Sequence, residues 1–437
     1  MSDYMFMLES HLTPDQSRAA AQVQQFAAEA NVNLFLTGGA MRDMVGGFPI
    51  RDLDFTVEGN AVKLGKTIAA KTGAEILETD ENRKTIELKF PGEVTVGIGM
   101  ARQERYSRPG ARPSVQPATI HEDLRCRDFT VNAIALSLNR ASRGLILDPT
   151  NGVGDIEHKE LRAVSNYSLY DDPSRILRLI RFRVRLGYAI AERTAAQYQN
   201  VRQAGLETKI TPESLRHELR AIANDPNAGE ILQALEQERL IQLFSPALEG
   251  SKLNLAAFAK LQKARQIAPF GAEFPVDNMA LFLYFVTEKL SPRERTALIK
   301  ACGLEKADVS GWQKLEAASK KLEKELKNAK YQRASKLYAL LSEAAGEQML
   351  FLLVKSGERI VIDRIKNYLQ KYLPAAQEIT DKEVIAAGGQ PGTPKGRKLR
   401  ADLIAKRLDS RPKKVAPPAE NLSATQATAA PAKTGRG

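Results

Sequence analysis

Two aspartates, Asp52 and Asp54, stand two residues apart, with Leu53 between them and Phe55 beyond. Successive side chains of a β-strand alternate between its faces, so on a strand both carboxylates point one way and the apolar pair points the other. Two carboxylates on a rigid element can hold a pair of magnesium ions about 3.5–4 Å apart, one activating an attacking hydroxyl and one stabilising a leaving pyrophosphate. That is phosphoryl-transfer chemistry, although two aspartates alone also fit a solvated surface pair. Upstream, Leu34-Phe35-Leu36-Thr37-Gly38-Gly39 runs from an apolar stretch into a helix start. Glycine amides there can approach a triphosphate, and the helix dipole favours its charge. Arg42 and Asp43 follow, either as phosphate contact and neighbour or as a structural ion pair beside a tight turn.

These residues need elements to hold them. Hydrophobic periodicity predicts a helix over Pro14–Glu29, a strand over Asn33–Thr37 and a second strand over Asp52–Val57. It further predicts a helix over Ala61–Thr72 and strands over Thr85–Phe90 and Val94–Met100. The first 150 residues therefore read as α/β. From Asp172 onward the pattern is helical, with apolar clusters such as Ile231, Leu232, Leu235, Leu240, Ile241 and Phe244. Between the two regimes, Asp148-Pro149-Thr150-Asn151-Gly152-Val153-Gly154-Asp155 has the composition of a turn and marks the domain junction. The segment from Arg102 to Ile120, with three prolines and four arginines, reads as a mobile basic loop.

The chain has 437 residues and a net charge of +12. Such a surplus favours polyanionic partners without separating RNA, DNA and acidic membranes. The charge is concentrated at one end, since Gly388 to Gly437 holds eleven basic and three acidic residues. Two distant cysteines, Cys126 and Cys302, exclude a disulfide framework or zinc knuckle and make the cytoplasm the natural compartment. Four scattered histidines form no metal-ligand pattern. No leader or membrane span is expected, because no stretch approaches about 18 uninterrupted apolar residues.

The segment GGAMRDMVGGFPIRDLDF resembles the signature of the class II tRNA nucleotidyltransferase and bacterial poly(A) polymerase family, and later blocks agree in order. Arg125-Cys126-Arg127-Asp128-Phe129-Thr130-Val131-Asn132-Ala133 resembles the family's RRDFTxNA block. Asp148-Pro149 onward resembles its DP-x-GG-x-x-D turn, and Asp171-Asp172-Pro173-Ser174-Arg175 its EDxxR block. Ile379 to Ile385 with Pro391-Gly392 is similar to its tail element, whereas residues 240–374 match only as helical composition.

The resemblance implies a polymerase-beta-like α/β nucleotidyltransferase head domain followed by an elongated all-α C-terminal region. The expected divisions are a head over 14–150, a base-recognising neck over 151–225, a body over 226–374, an RNA-binding tail over 375–411 and a disordered basic extension over 412–437. It implies Mg2+ at Asp52 and Asp54, ATP and CTP as substrates, and a tRNA or other RNA 3′ end as acceptor, with CCA addition as the leading activity. Gly38, Gly39 and Arg42 would lie near the triphosphate. Arg127 and Asp128 suit a ribose 2′-hydroxyl, which both donates and accepts, or else form a surface pair. Asp172 and Arg175, three apart at a helix start, could read Watson–Crick edges; Asp172 before Pro173 is equally the usual cap arrangement. Arg178 could reach triphosphate or RNA, or belong with Arg181 and Arg185 to a solvated face. In the family a flexible loop at the place of Arg102 to Ile120 helps switch nucleotide specificity, which makes Arg105, Arg108 and Arg112 further candidates beside the plain solvated loop.

Three positions depart from the family pattern. Gly97 stands where relatives carry a third carboxylate, a gap that Glu87 or Glu93 on the neighbouring hairpin could fill. Cys126 replaces a basic residue, and Asp171 is one methylene shorter than the usual glutamate. The alternatives to CCA addition are poly(A), CC- or A-addition, and, in another class, RNA binding without catalysis.

Overall fold

The computed structural model describes residues 3–268 and 274–410. Two N-terminal helices, α1 (Asp3–His11) and α2 (Pro14–Glu29), precede the sheet. In the capping box of α2, Thr13 accepts from the Gln16 N–H and Gln16 Oε1 accepts from the Thr13 N–H, so two end donors are satisfied reciprocally. The same Gln16 side chain reaches 34 residues onward, donating through Nε2 to the Ile50 carbonyl at 2.9 Å. It thereby holds the loop that leads into Asp52.

The head continues as β1 (Asn33–Thr37), α3 (Gly38–Val45), β2 (Leu53–Glu58), α4 (Ala61–Thr72), β3 (Glu75–Asp80), β4 (Thr85–Phe90) and β5 (Val94–Met100). There follow β6 (Arg102–Arg105), β7 (Ser114–Pro117), α5 (Ile120–Cys126), β8 (Ala135–Ser137) and β9 (Ile146–Leu147). One seven-stranded sheet has the order β3-β4-β5-β2-β1-β8-β9. Only its β2–β5 pair is parallel; the other neighbours are antiparallel. Ile86, Leu88 and Phe90 alternate with Glu87 and Lys89 along β4, and Val94, Val96 and Ile98 with Thr95 and Gly97 along β5. The apolar set is buried on one face, where α4 fits so closely that a Cβ on Gly65 would stand 2.3 Å from Ile86 Cγ2. The opposite face of β2, β5 and β4 is left for polar groups.

Five of the six expected head elements have the predicted bounds, and the second strand is displaced by one residue, to Leu53–Glu58. Its ladder starts at Leu53↔Val96, while the Ile50 and Arg51 carbonyls just before are taken by Gln16. Asp52 is therefore at the strand's mouth rather than inside it. The edge strand β3 was not anticipated. The segment read as a mobile basic loop contains a β6–β7 hairpin, paired from Arg102↔Pro117 to Arg105↔Ser114. Its prolines sit at positions where a missing N–H costs little, Pro113 before a strand and Pro117 at a strand end.

The turn after Asp148 is built as its composition requires. Asp148 accepts from the Gly152 and Val153 N–H groups at 2.7 and 2.9 Å, opening α6 (Gly152–Glu157), and Asn151 takes φ 62°. A Cβ on Gly152 would come 2.1 Å from the Thr130 carbonyl oxygen, so only glycine lets this turn close on the head. Two short parallel strands, β10 (Glu160–Leu161) and β11 (Ala189–Ile190), bracket α7 (Ser168–Asp171) and α8 (Arg175–Leu186). Then come α9 (Glu192–Gln203), α10 (Pro212–Ala223) and further helices through Ser410. The predicted apolar cluster from Ile231 to Phe244 is buried.

The described residues divide into two compact units: those to Asn328 with Leu341–Gln370, and Ala329–Leu340 with the described residues from Lys371 to Ser410. The second has its own small core of Ala375, Ala376, Ile379, Val384, Ile404 and Leu408. The expected extension over 412–437 lies outside the described residues. Among those described, no single helix is long and apolar enough to cross a membrane.

Candidate active site

Ten of the residues singled out from the sequence line one cavity of about 640 Å3 on the polar face of the sheet. From the head come Gly38, Gly39, Arg42, Asp52, Asp54, Arg127 and Asp128; Asp172, Arg175 and Arg178 come from the segment around the start of α8.

Gly38 and Gly39 open α3 directly after β1. Gly38 has φ +64°, a backbone region in which an L side chain is strained, and a Cβ there would stand 3.2 Å from Asp54 Oδ2. The Gly39 N–H donates to that same oxygen at 3.3 Å. A helix N-terminus thus already faces negative charge. Gly38→Ala is expected to cost about 1 kcal/mol in urea unfolding through the left-handed backbone alone. Gly39→Ala, free of that strain, should cost less; equal losses would contradict this geometry.

Asp52 and Asp54 form no ion pair among the described residues. Burial, and secondarily the Asp54 charge, push the Asp52 carboxyl up to about 6, although its residue is solvent-exposed at the cavity mouth. Burial also raises Asp54, opposed first by the Arg127 guanidinium. Two carboxylates destabilised in this way, with no cation paired to them, suit a divalent metal ion. Among the described residues, no three His, Cys, Asp or Glu side chains lie close enough to hold one by themselves. The residues that fit the ion are therefore this pair, with water completing its shell.

Arg127 and Asp128 do not pair with each other, so the surface-pair alternative does not apply. Arg127 donates to Asp123 Oδ2 at 2.8 and 3.0 Å and to Thr56 Oγ1 at 2.9 Å. Asp128 is buried; its Oδ1 accepts from the Phe129 N–H and from Asn132 Nδ2. Burial alone would raise its carboxyl, but Arg178, Arg175 and these hydrogen bonds hold it below the usual range. Arg178 Nη2 stands 2.7 Å from Asp128 Oδ2, yet Oδ2 and Arg178 Nε are both left without an aligned hydrogen bond. A buried acceptor and a buried donor without aligned partners, side by side, are suited to a ligand hydroxyl.

Asp172 and Arg175 approach at 3.8 Å. Asp172 is not the N-cap of α8, a position taken by Ser174 because the helix begins only at Arg175; its Oδ1 instead accepts from the Ser174 N–H at 3.0 Å in the preceding turn, and the residue lines the cavity. Arg175 is nearly buried and donates to Ser168 Oγ and to the Cys126 and Arg127 carbonyls. Arg42 takes the structural alternative. Its guanidinium is held by Asp43 and Asn132, over the Phe182 ring at 5.1 Å.

The arginines of α8 are not a solvated row. Arg178 pairs with Asp128, Arg181 with Glu218 of α10, and Arg185 with Asp43 at 3.0 Å. Burial and the like charge of Arg42 bring Arg185 down to about 10. In the basic hairpin, Arg105 closes the β6–β7 ladder and Arg108 lies in the tip with Arg112, whose Gly110 N–H donates to the Asp171 carbonyl at 3.0 Å. None of these three arginines lines the cavity.

Sequence reasoning passed over Phe182 and His217 and gave Asn132 no role, yet all three line the cavity, as does Arg185, which was read only as part of a basic face. Asn132 lies inside a block already singled out; the approach of Arg185 and His217 depends on helix packing. Of the two acids considered for the gap at Gly97, Glu87 lines the cavity and Glu93 does not.

Residues 34–162 match the poly A polymerase head domain. Over 341 residues, 77% of this chain, the sequence is 30% identical to an A-adding tRNA nucleotidyltransferase of Aquifex aeolicus, and it covers 40% of that protein. It is 33% identical over 271 residues to the A-adding tRNA nucleotidyltransferase of Halalkalibacterium halodurans, covering 61% of this chain and 63% of the relative. A CC-adding tRNA nucleotidyltransferase of Deinococcus radiodurans is 33% identical over 236 residues, 51% of this chain and 61% of its own. The chain thus spans between 40% and 63% of the length of these relatives. In fold it is similar to a solved CCA-adding enzyme in apo form II, with a TM-score of 0.54 and 24% identity over 93% of this chain and 95% of that one. The segment that matches the poly A polymerase head domain, residues 34–162, carries the glycine pair, both aspartates and the Arg127–Asp128 step.

Proposed function

We propose that this protein extends the 3′ end of a tRNA, transferring CMP and AMP from CTP and ATP with release of pyrophosphate. The observation that carries the reading is the single cavity in which an unpaired carboxylate pair, a glycine-opened helix start and the Asp128–Arg178 pair face one another. Mg2+ held by Asp52 and Asp54 would lower the pKa of the attacking 3′-hydroxyl and neutralise the departing pyrophosphate. The hydroxyl oxygen bonds to the α-phosphorus as the α–β bridge breaks. Gly38 and Gly39 let the backbone come close to the triphosphate, whose charge the start of α3 favours. Arg127, anchored by Asp123 and Thr56 beside Asp54, adds positive charge where phosphate charge develops. Asp128 with Arg178 offers an acceptor and a donor to the ribose. Asp172 with Arg175 would read the base by the edges that distinguish cytosine from adenine, so that protein rather than nucleic acid would serve as template.

The relatives favour a narrower second reading, since those named above add either A or CC. Separate incubations with CTP and ATP, on tRNAs ending before CCA and after CC, distinguish the two. Full CCA addition is expected. Extension of the CC-ended tRNA by one A, with no use of CTP, would replace it by A-addition, and unlimited A-tails by poly(A) synthesis. The second compact unit suits the RNA backbone by its charge: Lys395, Arg397, Lys398, Arg400, Lys406 and Arg407 all lie on its last helix, Pro394–Ser410.

A further inference from the structure

The strand register sets three residues in one row across the sheet. Asp54 of β2 pairs with Gly97 of β5, and Gly97 pairs with Glu87 of β4. Residues paired across a sheet project from the same face, so Glu87 shares with Asp54 the face that lines the cavity. Between them stands a residue with no side chain. A Cβ on Gly97 would come 3.1 Å from Asp54 Oδ1, so the glycine leaves open the space through which the two acids face each other.

Glu87 has no ion-pair partner among the described residues, although the Arg220 charge acts on it. Its carboxylate makes no hydrogen bond or ion pair among the described residues, whereas the next acid in the row, Glu78, is paired with Arg220 at 3.3 Å. Burial raises the Glu87 carboxyl, with further contributions from Asp52, Glu78 and Asp54. Three acids that repel one another over a glycine gap hold one another's carboxyls up, and a cation among them would relieve that repulsion. The three do not converge closely enough to bind a bare ion. Mg2+, however, keeps several of its waters, and a carboxylate that accepts hydrogen bonds from those waters orients the shell without touching the ion.

We propose that Glu87 is the third carboxylate of the metal site, acting through the metal's water shell across the space that Gly97 leaves open. This rests on the reading of Asp52 and Asp54 as the metal-holding pair. It makes Glu87 a positioning residue, reaching from the strand beyond β5 into the place where a side chain at position 97 would otherwise project.

The test is Mn2+ binding to the full-length apo protein, followed by electron paramagnetic resonance of the free ion, with thermal unfolding of each variant alongside. Glu87→Gln is expected to weaken binding about 10-fold, the lower end of what loss of an outer-shell carboxylate costs, without lowering the unfolding temperature. Adding Gly97→Glu to that variant, which moves the carboxylate one strand nearer, should recover most of the lost affinity. Glu78→Gln should bind as the wild type does. Unchanged binding by Glu87→Gln, or an equal loss in Glu78→Gln, would overturn the role of Glu87. Unchanged binding by Asp54→Asn would instead overturn the metal site itself, so the two failures are distinguishable.

Discussion

Asp54→Asn is expected to lower nucleotide incorporation about 1,000-fold or more while making the metal-free protein more stable at pH 8. A metal ion at the reacting phosphate supplies several kcal/mol of charge stabilisation, and each ~1.4 kcal/mol is a factor of ten in rate. Asn keeps the shape and the bond from the Gly39 N–H but loses the charge that holds the ion. Asp52→Asn should behave alike. The stability change follows from the raised carboxyls. The folded protein holds Asp52 at about 6 against an ordinary 3.8, so its protonated form is the one that suits the fold. That contribution is complete below about pH 4 and disappears as pH rises through about 6. At pH 8 the ionised Asp52 opposes folding. Because the group lies at an exposed cavity mouth, screening reduces the effect to the order of 1 kcal/mol, and the neutral variant should gain about that much. The gain should vanish at pH 4. Mg2+ should stabilise the wild type by binding to its folded form and leave the Asn variants unmoved. Urea unfolding at the two pH values, with and without Mg2+, checks each part; wild type more stable than both variants at pH 8 without metal would contradict the account. For the same reason metal binding should weaken as pH falls below about 6, where Asp52 takes up a proton.

Glu218→Ala should give the largest stability loss, about 3–5 kcal/mol by urea unfolding, because it strands a buried guanidinium. Arg181 on α8 donates to Glu218 on α10 through Nε and Nη2, with both side chains less than a tenth exposed. The Arg181 guanidinium also lies over the Phe182 ring at 4.5 Å, on the cavity wall. Replacing both partners with apolar residues of similar size, Arg181→Met with Glu218→Leu, should be far milder than removing one, since nothing charged is then left in the interior. If Glu218→Ala cost less than about 1 kcal/mol, the pair would be solvated and the packing of α8 on α10 looser than described.

Local pattern made the alternation of the head and the buried cluster from Ile231 to Phe244 legible, because a two-residue or helical period registers which side meets a core. It did not reveal β3, whose Glu75, Glu78 and Asp80 interrupt any apolar run and whose Ile76 and Leu77 remain about half exposed at the sheet edge. Nor did it reveal β6 and β7, where prolines and arginines imitate a loop while cross-strand pairing supplies the order. The ten candidate residues were legible as ordered blocks, and the structure brings them into one cavity. What each one touches was not. Arg42 and Asp43 are sequence neighbours and pair as such, but Arg185 reaches Asp43 from 142 residues away and Asn132 reaches Arg42 from 90. Glu87 faces Asp54 only because of a register involving three strands. Long-range register and helix packing are global properties, and no window of sequence contains them.

The central claim is that the cavity around Asp52 and Asp54 transfers nucleotides to an RNA 3′-hydroxyl. The most direct measurement is incorporation of α-labelled CTP or ATP by the wild-type protein with Mg2+, on a tRNA lacking its 3′-terminal nucleotides and on the same tRNA with a 3′-deoxy end. The account predicts labelled extension of the first, one pyrophosphate released per nucleotide, and none on the second. Tight binding of both tRNAs, with no label transferred from any nucleoside triphosphate, would contradict it.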